Sequence, residues 1–211
     1  MTLIHQQMDF LPKVPEHFIT RAKQFLEQED KKPDVAYRNE ELSNGVWFRP
    51  IDPDGSGNII KGRSNILFPW PDQEFEQWVR DNITTNYKSI MLGMNLPGED
   101  ASVTQPAHTD LHRAWNLMHV FENSSDEQTT CFWQEDGYPL IRPLATYKSD
   151  FKNLTKVSEA KFKKNTWNAF STCILHSVRN VVGGLHARMT IHLSLYEDPT
   201  VRPDFFTTAT R

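Results

Sequence analysis

From Ala187 to Glu197 the side chains alternate without interruption: Met189, Ile191, Leu193 and Leu195 fall on one side, Arg188, Thr190, His192 and Ser194 on the other. A period of two belongs to an extended strand with one apolar face, and a helix cannot satisfy it. This stretch is the clearest of a series of short strand candidates after Tyr87: Tyr87–Leu96, Ala114–Glu122, Thr129–Gln134, Pro143–Lys148 and Trp167–Thr172. The N-terminal part reads differently. Phe18, Ala22, Phe25 and Leu26 recur at helical spacing within 15–28, and Phe75, Trp78 and Val79 do so within 72–82. Between them, Gly45 to Pro71 reads as a loop-rich stretch with one strand candidate at Gly45–Arg49. Helices first and many short strands afterwards predict a mainly β protein, a sandwich or open barrel with flanking N-terminal α-helices.

A chain of 211 residues with 13 Phe, 6 Trp and 5 Tyr has the means to bury a core without disulfides. No internal repeat or linker divides it, so 1–211 is read as one domain. The net charge of -4 argues against broad electrostatic capture of nucleic acid or acidic lipid. Cys131 and Cys173 lie in apolar surroundings and form no CxxC, so structural zinc and thioredoxin chemistry are not expected. No apolar run approaches the roughly 18 residues of a membrane span, and the first residues lack the pattern of a signal peptide. A soluble, cytoplasmic protein is therefore expected, with no membrane partner and nucleic acid disfavoured; oligomeric state is not legible.

The chemistry concentrates in Gln105-Pro-Ala-His-Thr-Asp-Leu-His-Arg113. His108-x-Asp110 places an imidazole and a carboxylate two residues apart, on one face of an extended segment. His176 follows 66 residues after Asp110, and Arg188 with Thr190 comes 12 residues beyond His176. Two histidines and one carboxylate on one face of a metal leave open positions for a bidentate co-substrate and dioxygen, the ligand set of non-haem Fe(II). Arg188 would offer a planar fork to a distal carboxylate, and Thr190 a hydroxyl. The competing readings are a loop histidine capped by an aspartate for His108 and Asp110, and a surface ion pair for Arg188. His186 and His192 compete with His176 as the distal ligand, and His192 could equally line the pocket.

His108-x-Asp110, His176 with Val178 two positions on, and Arg188-x-Thr190, in this order, resemble the Fe(II)/2-oxoglutarate-dependent oxygenases, over about residues 87–198. Residues 161–178 also resemble the family's turn and short strand before the distal histidine. The resemblance implies a double-stranded β-helix (jelly roll, cupin-like) over 87–198, preceded by a helical and loop part, 1–86, and followed by a tail, 199–211. It implies that His108, Asp110 and His176 bind Fe(II), and that Arg188 and Thr190 bind the far carboxylate of 2-oxoglutarate. Dioxygen would be consumed and succinate and CO2 released as a substrate C–H bond is hydroxylated. Asp110 argues against the halogenase variant, which has a small residue there.

The segment His108–His119 is similar to the aspartyl/asparaginyl β-hydroxylase branch, in which a histidine eleven residues after the first ligand faces the co-substrate; that branch has glycine at the position of Asp110. This similarity points to an amino acid or protein side chain as substrate, hence a small-molecule or peptide partner. It nominates His119 for the co-substrate, whereas the polarity of Asn116 among Trp, Leu and Met nominates that residue. The two have opposite parity on one strand, so at most one faces the metal. His112 and Arg113 are read as a solvated loop, substrate contact being the alternative. Trp115, Phe132, Trp133 and Phe170 are expected in the core. Asp52–Gly57 begins like a calcium loop but has Arg63 where the bidentate glutamate belongs, so it reads as a turn. Lys152–Lys164, with five lysines, reads as an exposed amphipathic hairpin rather than a nucleic-acid groove. Two other functions remain open at this level: a cupin-like metalloprotein that does not use 2-oxoglutarate, and a non-catalytic jelly-roll binding module.

Overall fold

The computed structural model describes residues 3–30, 46–48, 65–95, 107–110, 113–123, 126–143, 148–149, 151–179, 188–202 and 204–207. Twelve strands and two α-helices are described: β1 (His5–Met8), α1 (Glu16–Asp30), β2 (Val46–Phe48), β3 (Asn65–Pro69), α2 (Gln73–Asn82), β4 (Ser89–Asn95), β5 (Ala107–His108), β6 (Trp115–Asn123), β7 (Thr129–Glu135), β8 (Lys148–Ser149), β9 (Leu154–Ala160), β10 (Trp167–Ser171), β11 (Leu175–Arg179) and β12 (Arg188–Leu195). They form two antiparallel sheets, one of seven strands in the order β1-β10-β6-β12-β4-β3-β2 and one of five in the order β8-β5-β11-β7-β9. The chain is mainly β, as the succession of short alternating segments predicts.

Alternation decides what each face meets. On the seven-stranded sheet, Met189, Ile191, Leu193 and Leu195 of β12 join Leu117 and Phe121 of β6 and Leu92 of β4 in the main core, together with residues of both helices. Phe18, Ala22 and Leu26 of α1 and Phe75 and Val79 of α2 are the helical contribution, so the 3.6-residue stripes meet the sheet. Asp72 caps α2 by accepting from the Phe75 amide at 2.9 Å. Arg21 of α1 reaches Asp72 at 2.9 Å and Glu74 at 2.7 Å, tying the helices together. The opposite face of this sheet looks toward the five-stranded sheet. Met118, Val120, Phe132, Phe162, Phe170 and Ile174 pack there as a second cluster, beside the polar side chains considered below.

Three readings need correction. The stretch Gly45–Pro71 holds a second strand, β3, paired with β4 over Asn65–Pro69; Phe68 has the apolar bulk to be buried there, but two prolines and the glycines upstream mask the pattern. The lysine-rich stretch is no hairpin: Phe151–Asn153 is a 3-10 turn, and Leu154–Ala160 is one strand pairing β7. Lys156 and Glu159 suit an edge strand, where charge discourages further pairing. Third, β1, β5 and β11 had no strand candidate, because pieces of two to five residues carry almost no periodicity. Gly45 and Arg49, residues 144–147 of the strand predicted over Pro143–Lys148, and the Asp52–Gly57 turn lie outside the described residues; of that predicted strand Lys148 is in β8 and Pro143 in no strand. Among the described residues, no helix is long and apolar enough to cross a membrane.

Candidate metal centre

His108 and His176 face each other directly across the β5–β11 pairing, with ring centroids 4.5 Å apart. Asp110 joins them through backbone bonds. Its amide donates to the Thr172 carbonyl at 3.1 Å, while the Thr172 hydroxyl donates to the Arg113 carbonyl at 2.6 Å and the Thr172 amide to that of Ala114 at 3.0 Å. The segment after β5 is thereby fastened to the β10–β11 turn, beside His176. His108 Nε2 lies 3.6 Å from Asp110 Oδ1, and His176 Nε2 lies 3.8 Å from Asp110 Oδ2. One ligand atom from each of the three residues falls within 4.8 Å of the others. The buried His108–Asp110–His176 cluster could hold a metal ion.

The surroundings put His176 and Asp110 in the protonation states a metal requires. His176 Nδ1 sits 2.9 Å from the Ile174 carbonyl, which can only accept, so Nδ1 carries the proton and Nε2 presents its lone pair to the cluster. Burial pushes His176 down to about 4, so the ring is neutral at pH 7. Burial alone would raise the Asp110 carboxyl, but Arg113 foremost, with His176 and His108, holds it well below the usual carboxylate range. Arg113 Nε and Nη2 both converge on Oδ2, at 2.7 and 2.6 Å. Arg113 is thus buried and paired, not part of a solvated loop; a cation three residues from a carboxylate that must stay ionised is drawn in by that charge. His112 and His186 lie outside the described residues.

The cluster opens into a cavity between the sheets, lined also by Asn116, Arg188, Thr190 and His192, and by Leu67, Met118, Phe170 and Val178. Arg188 is buried rather than on a surface. Its Nη1 donates to Thr130 Oγ1 at 3.3 Å, its Nη2 faces Met118 Sδ at 3.7 Å, and its guanidinium lies over the Phe162 ring at 5.7 Å. Among the described residues it has no carboxylate partner. Burial lowers it to about 10, which leaves it charged at neutral pH.

Of the two candidates on β6, Asn116 faces this cavity and His119 does not. Trp115, Leu117 and Phe121, of the same parity as His119, belong to the helix-covered core, and the His119 ring lies 5.0 Å from that of Trp167. The expected co-substrate contact of His119 is therefore corrected: an odd offset from Asn116 puts it on the other face of the sheet. Both its ring nitrogens are buried without a hydrogen-bond partner among the described residues, and burial lowers it to about 4. Trp115, Phe132, Trp133 and Phe170 are buried, and Phe170 also touches the cavity.

His192, one of the residues left open as lining the pocket, does line it beside Arg188 and Thr190. Two further contributors carried signals that went unused. Gly93 is the lone glycine in an apolar strand, a mark of close approach. Thr130 shares the inward face of β7 with Phe132. Compared with models of known protein families and with curated proteins, the chain matches none.

Proposed function

We propose that this chain is a non-haem Fe(II)- and 2-oxoglutarate-dependent dioxygenase that hydroxylates an amino acid or protein side chain, built on a double-stranded β-helix. The observation that carries the reading is a buried guanidinium, Arg188, lacking a carboxylate partner among the described residues, in the same cavity as a His–Asp–His cluster. A buried cation is costly unless an anion meets it, and a distal carboxylate of a metal-chelating ligand supplies that anion. Two imidazoles and one carboxylate with open positions suit Fe(II). Strand order supports the fold: β4, β6, β10 and β12 lie in one sheet and β5, β7, β9 and β11 in the other, so the chain crosses repeatedly between facing sheets, as a jelly roll does.

His108, Asp110 and His176 would hold the iron, which supplies the oxidising chemistry when bound with dioxygen. Arg113 keeps Asp110 ionised and aimed, and the Ile174 carbonyl fixes the His176 tautomer. Arg188 and Thr190 would take the far carboxylate of 2-oxoglutarate, with Asn116 on the neighbouring strand. Leu67, Met118, Phe170 and Val178 form the apolar part of the wall and limit water.

The test is succinate and CO2 formation from 2-oxoglutarate by the purified protein with Fe(II) and ascorbate, beside calorimetric binding of 2-oxoglutarate to the Mn(II)-loaded protein. Binding and turnover are expected, His108→Ala losing the metal and Arg188→Gln keeping the metal but losing 2-oxoglutarate. A protein that binds iron stoichiometrically yet shows neither binding nor turnover of 2-oxoglutarate overturns the proposal.

A further inference from the structure

Four groups on the cavity wall form a continuous hydrogen-bonded chain. Asn116 Nδ2 lies 2.7 Å from His192 Nδ1, His192 Nε2 lies 2.7 Å from Thr190 Oγ1, and Thr190 Oγ1 lies 3.2 Å from the Gly93 carbonyl oxygen. The carbonyl end sets the direction of the whole chain. Only one order makes all three contacts hydrogen bonds: Gly93 O can only accept, so in that order the threonine proton points to it. Thr190 Oγ1 then has only lone pairs for His192, whose Nε2 must carry the hydrogen. A neutral imidazole has one N–H, so Nδ1 accepts, and Asn116 presents its amide NH2. The opposite tautomer would reverse the Asn116 and Thr190 contacts and leave the Gly93 contact without a hydrogen.

We propose that His192 is a positioning residue for anion binding: its Nε2–H occupies a lone pair of Thr190 Oγ1 and so keeps the threonine hydroxyl a donor toward a carboxylate at Arg188. The inference rests on the reading of Arg188 and Thr190 as the 2-oxoglutarate carboxylate site. The opposite tautomer would draw the Thr190 proton toward His192 and leave oxygen lone pairs facing the incoming anion, which repel it. With this order, the proton need only turn from a long bond to a neutral carbonyl to a charge-assisted bond with the ligand, the stronger of the two. The chain is also packed shut. A Cβ at Gly93 would fall 2.6 Å from His192 Nε2 and 2.7 Å from Thr190 Oγ1, so only glycine lets β4 pass this close.

Two measurements test the proposal. Nitrogen-15 NMR of the wild-type histidine ring, metal-free and in the Zn(II)–2-oxoglutarate complex, is expected to show Nε2 protonated and Nδ1 bare in both; protonation at Nδ1 overturns the proposal without any variant having to fold. The second is a double-mutant cycle on calorimetric affinities for the Mn(II)-loaded protein. His192→Leu should weaken 2-oxoglutarate binding about ten- to a hundredfold, the range for one hydrogen bond to a charged group. His192→Gln, which keeps a donor near Nε2, should stay within about threefold. In a Thr190→Ala background His192→Leu should add nothing, and with 2-oxopentanoate, which has no distal carboxylate, it should change nothing. Additive effects, or equal losses with both oxo acids, overturn the inference by showing that His192 merely supports the fold. If Arg188→Gln leaves 2-oxoglutarate binding intact, the functional reading falls instead, while the tautomer result stands on its own.

Discussion

Replacing Gly93 with alanine gives the sharpest stability test, because two opposing effects can be weighed from the structure. In most strand positions the change is favourable by about 0.5–1 kcal/mol, since glycine loses more backbone freedom on folding. Here the new methyl would sit 2.6 Å from His192 Nε2, 2.7 Å from Thr190 Oγ1 and 3.2 Å from His192 Cδ2. Carbon contacts are comfortable near 3.5–4.0 Å, so the His192–Thr190 pair must give way by roughly an ångström. That pair is buried and joined to its neighbours at both ends. Overpacking costs about 1–3 kcal/mol, and the lost hydrogen bond about 0.5–1.5 kcal/mol more. The net expectation for Gly93→Ala is a loss of about 0.5–4 kcal/mol. For a chain of this size each kcal/mol lowers Tm by about 2–4 °C. Gly137→Ala is the contrast: φ is +81° and nothing lies within 4 Å, so that variant pays only backbone strain of about 1–2 kcal/mol and leaves the cavity alone. Urea unfolding of both variants, with 2-oxoglutarate titrations of the Mn(II)-loaded protein, separates them. A Gly93→Ala protein as stable as wild type with unchanged affinity would refute the packing argument.

Asp110→Ala removes a metal ligand and strands the buried Arg113 charge, so metal-free stability should fall by about 3 kcal/mol and Mn(II) affinity by more than a hundredfold, checked by urea unfolding and calorimetry. Arg188→Lys keeps the charge but loses the fork, and 2-oxoglutarate affinity should drop at least tenfold with Mn(II) affinity unchanged in calorimetry. His119 accepts a proton near pH 6.5 when unfolded but only near 4 when buried, so the unfolded chain binds more protons between those values. Stability should therefore decline as pH falls from about 6.5 to 4, by up to about 3 kcal/mol from this residue. The acid limb of metal-free His119→Leu should be shallower than that of the wild type by that amount in urea unfolding, the His176 contribution being common to both; identical limbs would contradict the burial argument.

The legible part of the site rested on parity. Arg188, Thr190 and His192 were readable as one polar face because β12 is long enough to alternate visibly. The same rule separates Asn116 from His119, yet it does not say which of the two faces the cavity. That choice depends on which side of β6 the helices cover, a fact of packing rather than of local sequence. His119 was nominated by its distance from His108 along the chain, and such a count ignores the sheet's two sides. Arg113 was misjudged because its partner, Asp110, is brought into place only when Thr172 anchors the intervening turn.

What the residues determine locally is therefore the kind of element and the faces it must bury: two amphipathic helices, a run of short strands, and a set of imidazole, carboxylate and guanidinium groups in a fixed order. Only the tertiary arrangement decides that His176 pairs across from His108, that Arg188 is enclosed without a carboxylate partner among the described residues, and that His192 and Thr190 meet the Gly93 carbonyl in one line of contacts. The reason is one of range. Alternation and helical spacing act between neighbours in the chain, whereas strand pairing and burial join residues far apart in it, and the electrostatics of each group follow from what encloses it.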